Sequence, residues 1–154
     1  LKFIAFGAEE TGLDGSYNYV TVNEEEVATR GIGMINLDMI AVGDTLLIGN
    51  MGWSGSSILD YAKRKATAMN ITWQPFTAGF NSDHAYFEMA GVPAVFINQA
   101  LDPWYHTSED TLDKIDVTIL EVNGELATET MYDWARDPGH HGRMAFNSAY
   151  PQYC

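Results

Sequence analysis

Short apolar runs that stop at polar residues recur along the chain and predict buried strands. Residues 1–6 form one run and end at Gly7, which interrupts the pattern too early for a helix. Residues 32–40 form a second run, in which only Asn36 and Asp38 are polar, and these two share one face of a strand. Residues 93–98 form a third run. We therefore expect at least three strands of a buried sheet.

Helical patterns alternate with these strands. Residues 56–65 follow Gly55 as an amphipathic helix entered through a serine cap, and residues 83–90 form a short helix with Ser82 as candidate cap and Gly91 at its end. Apolar residues at helical spacing over 116–134 predict a closing helix. The alternation predicts an α/β fold for residues 1–136, and the aperiodic residues 137–154 predict an irregular tail.

Acidic residues stand where the first two predicted strands end. Glu9 and Glu10 follow the first run, and adjacent carboxylates in a desolvated site need a cation or a bound proton to offset their repulsion. Asp38 lies in an apolar frame, and the chain has only 8 Lys plus Arg as partners. His106 follows the third strand as the first-choice imidazole ligand. The alternatives without metal are a surface charge pair for Glu9 and Glu10, a helix cap or an ion pair with Arg30 for Asp38, and a surface histidine for His106.

Four motifs occur in a specific order: Phe6 to Leu13 (FGAEETGL), Asn36 to Met39 (NLDM), Ser82 to His84 (SDH) and Tyr105 to Thr107 (YHT). In this combination the chain resembles the M28 family of zinc aminopeptidases over residues 1 to about 115. The resemblance implies a three-layer α/β/α fold with a mixed, mostly parallel sheet, peptide substrates, two zinc ions in the complete protein and a secreted or periplasmic location.

The resemblance also implies a role for each motif residue. Glu9 would be the general base, Glu10, Asp38 and His106 would be metal ligands, and Tyr105 would stabilise the oxyanion. Asp83 and His84 would line the substrate pocket, although an acidic residue in the first turn of a helix also serves as a simple cap. Trp104 is the aromatic candidate for the same pocket, because Tyr105 follows it.

The chain departs from this family at its beginning. Family members carry a His and a metal-bridging Asp upstream of the Glu-Glu pair, and this sequence starts at Leu1. We therefore expect the chain to be the carboxyl-terminal portion of a catalytic domain, inactive or nearly so alone, with the missing ligands in an upstream segment.

Two other functions stay open. A glutaminyl cyclase, which is a single-zinc relative, typically has Trp before its last ligand, whereas Tyr105 precedes His106 here. The second alternative function is a binding domain of the same fold that lost its metals. The presence of all four residues of the predicted site, Glu9, Glu10, Asp38 and His106, argues against it.

Composition narrows the classes of function. The 154 residues carry a net charge of -13, which disfavours binding to nucleic acid and to anionic membrane surfaces. No apolar run is long enough to predict a membrane span, and a single cysteine, Cys154, excludes an internal disulfide. The 46% hydrophobic content supports one buried core.

Overall fold

The computed structural model describes residues 1–53, 57–137 and 139. Helices and strands alternate through most of this part of the chain, as the sequence predicts. In chain order they are α1 (Asp14–Val22), α2 (Glu24–Arg30), β1 (Met34–Asp38), β2 (Thr45–Asn50), α3 (Ser57–Ala68), β3 (Trp73–Thr77), α4 (His84–Met89), β4 (Ala94–Ala100), a 3₁₀ helix (Leu112–Lys114) and α5 (Val117–Arg136).

The four strands form one mixed sheet in the order β1-β4-β2-β3. β1 runs parallel to β4 and β2 runs parallel to β3, whereas β2 and β4 are antiparallel. Two of the three pairings are therefore parallel, which confirms the predicted mixed and mostly parallel sheet. Asp38 pairs with Asn98, so the carboxyl ends of β1 and β4 meet at one edge of the sheet.

Alternation of side chains along β4 divides the molecule into three layers. Val95 and Ile97 are fully buried in a cluster with residues of α3 and α5, whereas Phe96 points to the opposite face and stacks on His84 of α4. The main core cluster contains Leu46, Ile48, Ile58, Leu59, Ala62, Ala66, Val95, Ile97, Leu126, Ala127 and Trp134. Helices thus cover both faces of the sheet, and the predicted α/β/α architecture is confirmed.

The three predicted helices are present as α3, α4 and α5. The serine cap predicted for the first of them falls on Ser56, which lies outside the described residues. Asp116 caps α5, because its side chain accepts hydrogen bonds from the backbone N–H groups of Thr118 and Ile119. Ser82 does not cap α4: Asp83 is the N-cap residue, and its side chain makes no capping bond. The Ser82 hydroxyl instead donates to Asp38 at 2.7 Å, a long-range bond that competes with the local one.

The prediction of a buried strand at residues 1–6 is wrong. The segment has no strand structure, and Leu1 and Phe3 are each 87% exposed. An extended apolar segment becomes a strand only when a neighbour accepts and donates its backbone hydrogen bonds, and no strand among the described residues pairs with it. Side chains hold the segment instead: Phe6 contacts the rings of Tyr19 and Phe87.

α5 ends at Arg136, and the tail predicted for residues 137–154 lies outside the described residues except for Asp137 and Gly139. In the described part of the chain, no helix combines the length and the apolar character needed to cross a membrane.

Candidate active site

A tight turn holds Glu9 and Glu10 in front of α1. The Glu9 carbonyl accepts hydrogen bonds from the N–H groups of Gly12 and Leu13 at 3.1 and 2.9 Å. Ala8, which precedes the pair, has a φ of +59°, a left-handed conformation that is rare for residues other than glycine. The two carboxylates therefore belong to a hydrogen-bonded turn. The sequence alone suggests instead that they follow the end of a buried strand.

The loop after β4 brings His106 to this turn. The Nε2 atom of His106 lies 2.9 Å from Oε1 of Glu10, across 96 positions of sequence. His106 also has a left-handed backbone, with φ +58°, and its ring stacks on Tyr105 with 3.8 Å between ring centroids. Thr107 closes the loop, since both its N–H and its hydroxyl donate to the Trp104 carbonyl. Glu10, Tyr105 and His106 thus form one contiguous group.

Asp38 is held at the end of β1 by a chain of hydrogen bonds. The Asn36 side-chain amide donates to the Ser82 hydroxyl at 2.7 Å, and that hydroxyl donates to Oδ2 of Asp38 at 2.7 Å. Asn36 and Asp38 share a face of β1, as the strand period predicts. Because Asn36 and Ser82 are buried, the bonds restrict the Asp38 carboxylate to one orientation.

Electrostatic coupling joins Asp38 to the glutamate turn. The pKa of Glu9 is raised, first by burial and then by the negative charges of Asp38, Glu10 and Asp83, while His106 opposes the shift. The pKa of Tyr105 is also raised, by burial and by Glu10, Glu9 and Asp38. The structure therefore brings the predicted base, oxyanion donor and ligands into one electrostatic environment.

The predicted substrate-binding residues fall in different surroundings. Asp83 is 8% exposed, and its pKa is raised by burial, with a weaker opposing effect of a hydrogen bond to Ser16. The imidazole of His84 is completely buried, and burial lowers its pKa to about 4. Trp104 is half-buried, with the Lys114 ammonium 5.1 Å from its ring centroid. His84 packs on Phe96 in the interior. The substrate-binding roles of Asp83, His84 and Trp104 therefore stay predictions.

The donor chemistry of this group fits zinc, but the number of donors is small. Donor atoms on one tetrahedral zinc lie roughly 3.3 Å apart, given bond lengths of about 2.0–2.2 Å, so the Glu10 and His106 atoms need to separate only slightly to share an ion. Among the described residues, no group of three or more His, Cys, Asp or Glu side chains has a geometry that holds a metal. Glu10 and His106 could supply two ligands, and a zinc site of the catalytic type needs at least one more.

Sequence reasoning missed the residues that orient the site. The sequence predicts Ser82 as a helix cap and a motif residue, not as a hydrogen-bond donor to Asp38, from which it is separated by 44 positions. Nothing in a local window reveals such a bond. The one usable signal is that Asp38 and Ser82 each stand in a motif, because residues of ordered motifs converge in the folded chain.

Comparison with known proteins identifies the family of the chain. The model of "Peptidase family M28" matches residues 1–131. Aminopeptidase YwaD of Bacillus subtilis (strain 168) is 32% identical over 143 residues, which cover 86% of this chain and 31% of that protein. A probable leucine aminopeptidase of Arthroderma otae is 28% identical over 88% of this chain and 39% of that protein.

Solved structures share the same fold. An aminopeptidase from Aneurinibacillus sp. strain AM-1 superimposes with a TM-score of 0.75 at 32% identity, over 83% of this chain and 32% of that one. BSAP, described as a zinc aminopeptidase from Bacillus subtilis, gives a TM-score of 0.74 at 29% identity, over 84% of this chain and 34% of that one. The chain spans about a third of the length of these proteins. With the family model matching most of its length, the chain belongs to peptidase family M28.

Proposed function

We propose that the protein containing this chain is a zinc-dependent aminopeptidase that hydrolyses amino-terminal peptide bonds. The observation that carries the proposal is the 2.9 Å approach of His106 to Glu10, directly beside Glu9. The relatives named above are aminopeptidases, and one is described as a zinc enzyme, which favours peptide hydrolysis over the cyclase and the binding domain.

Glu10 and His106 would hold one zinc ion, and Asp38 would hold the second. When bound, zinc supplies Lewis acidity and lowers the pKa of a water molecule towards ~7. Glu9 would take the proton of the attacking water, and its raised pKa brings it nearer to neutrality, where a general base works best. The Tyr105 hydroxyl would donate to the carbonyl oxygen, and its raised pKa keeps that proton in place.

We also propose that the remaining metal ligands come from polypeptide upstream of Leu1. Three features support this: Glu10 and His106 provide only two ligands at one point, relatives are about three times longer, and β1 has a free edge. The edge of β1 opposite β4 pairs with no strand in the described ranges, and the apolar segment 1–6 is exposed. An upstream strand that covers these surfaces would place its own end beside Asp38.

The test is Glu9→Gln in a form of the protein extended upstream. We expect hydrolysis of an aminoacyl-p-nitroanilide to fall by about 10²–10⁴, with zinc content unchanged, because the amide cannot accept the proton. Glu24→Gln makes the same chemical change on exposed α2 and should leave the rate unaltered. Full activity of the Glu9→Gln variant would refute the assigned base. Zinc binding without turnover of any peptide substrate would favour the binding domain, and cyclisation of glutaminyl peptides would favour the cyclase.

A further inference from the structure

The turn that follows Asp38 accepts hydrogen bonds from several other parts of the fold. The donors belong to β4, α5 and the residue before α5. They are Asn98 Nδ2 to the Asp38 carbonyl (3.2 Å), Gln99 N to Met39 (3.1 Å), Asn123 Nδ2 to Ile40 (2.8 Å), Asp116 N to Ala41 (2.9 Å) and Gln99 Nε2 to Gly43 (3.3 Å). We call residues 38–43 the ligand turn, because Asp38 is a proposed zinc ligand.

The ligand turn has a conformation that needs such support. Met39 has a φ of +55°, which costs a side-chain-bearing residue roughly 1–2 kcal/mol. Gly43 has a φ of +113°, and a Cβ there would stand 2.2 Å from the Ala100 carbonyl oxygen. A strained turn persists only when its surroundings determine it, so loss of a donor should let the turn relax.

Asn123 is the donor that joins α5 to the ligand turn. Its side chain is 1% exposed, and its Nδ2 group serves both the Ile40 carbonyl and, at 3.3 Å, Oε1 of Gln99. Gln99 in turn donates to Gly43 from its Nε2 group. One buried amide therefore fixes the middle of the turn directly and its end through Gln99.

We propose that Asn123 is a positioning residue for the zinc site, which acts on Asp38 through the backbone of the ligand turn. This proposal rests on the proposed function. It complements the bond from Ser82, which fixes the carboxylate of Asp38, whereas Asn123 fixes the chain that carries it. A displacement on the order of 1 Å at a catalytic group can cost a hundredfold in rate, so a clamp of this kind bears on activity.

The experiment compares Asn123→Ala with Leu126→Ala in the full-length protein. Leu126 lies in the same helix, is completely buried in the main core cluster, and has no hydrogen-bond donor to offer to the ligand turn. Both variants should lower the melting temperature. Only Asn123→Ala should weaken zinc affinity, measured by chelator competition, by about 10–100-fold, in line with the loss of groups that orient a ligand.

A second readout needs no metal. The Asp44 N–H bonds to the Ala100 carbonyl at the end of the ligand turn, and its hydrogen exchange should accelerate in metal-free Asn123→Ala but not in Leu126→Ala. If the alanine variant does not fold, Asn123→Leu keeps the branched shape and removes the donor without adding a charge.

The outcomes separate the two proposals. If the wild-type protein binds zinc and hydrolyses substrate, but Asn123 variants keep their zinc affinity, the positioning role is refuted and the function stands. Equal losses in Asn123→Ala and Leu126→Ala refute it as well, since they would reflect stability alone. A wild-type protein that binds no zinc overturns both.

Discussion

Replacement of His84 by leucine should remove a defined part of the pH dependence of stability. His84 is completely buried against Phe96, with 4.9 Å between the ring centroids. Neither ring nitrogen has a hydrogen-bond partner of good geometry in the described structure, although the Gly79 backbone weakly favours protonation. Burial lowers the pKa of His84 from 6.5 to about 4, because a buried imidazolium loses its hydration.

The sign and size of the effect follow from proton linkage. Between these two pKa values the unfolded chain binds a proton that the folded chain does not, so folding becomes less favourable as the pH falls. Going from about pH 7.5 to about pH 5.5, the single site should cost about 1.4 kcal/mol, and the full loss below the folded pKa of His84 is about 3 kcal/mol.

Denaturant unfolding of metal-free wild-type protein and of His84→Leu, at both pH values, tests this directly. Leucine has a similar volume and cannot titrate, and the carboxylates common to both proteins cancel in the difference. We expect the wild-type protein to lose about 1.4 kcal/mol more than the variant. Equal pH dependence of the two proteins would refute a neutral buried imidazole.

Two further predictions concern single hydrogen-bonding groups. Ser82→Ala should weaken zinc affinity in the extended protein by about 10–100-fold, because Asp38 loses its hydrogen-bond donor and the Asn36 amide loses its acceptor. Chelator competition measures the affinity, and an unchanged value would contradict the prediction. Asp116→Ala should lower the free energy of unfolding by about 1 kcal/mol, since the first turn of α5 loses its cap. Asp116→Asn should retain most of the wild-type stability, because asparagine also caps helices. Equal stability of the wild-type protein and both variants in denaturant titrations would disprove the capping role.

Hydrophobic period and ordered motifs were sufficient to predict much of this fold. The short, bounded apolar run predicts β4 and the helical spacing of apolar residues predicts α5, each to within a few residues. The pairing of the strands cannot be predicted from hydrophobic periodicity alone. The antiparallel contact of β2 with β4 depends on which strand edges remain available after the other strands pair. No local pattern of residues predicts which edges these are.

The wrong prediction at residues 1–6 has the same origin. An apolar run states that a segment should be buried, whereas a strand also needs a partner for its backbone. Phe6 obtains burial from Tyr19 and Phe87, and Leu1 and Phe3 do not. The sequence therefore indicated correctly that this segment is apolar, but not which surface covers it.

Backbone strain offers an indication of the site that is independent of the motifs. Among the described residues, six other than glycine have a left-handed backbone, and three of them touch the proposed site: Ala8 precedes Glu9, Met39 follows Asp38, and His106 is itself a proposed ligand. Alanine and methionine give no local signal for this conformation, which each residue adopts at a cost of roughly 1–2 kcal/mol. Folded proteins tolerate such costs where a side chain must be aimed, and they restore the loss through surrounding contacts. The bonds that hold the ligand turn are contacts of this kind, so the strain and its support together mark the same edge of the sheet as the carboxylates do.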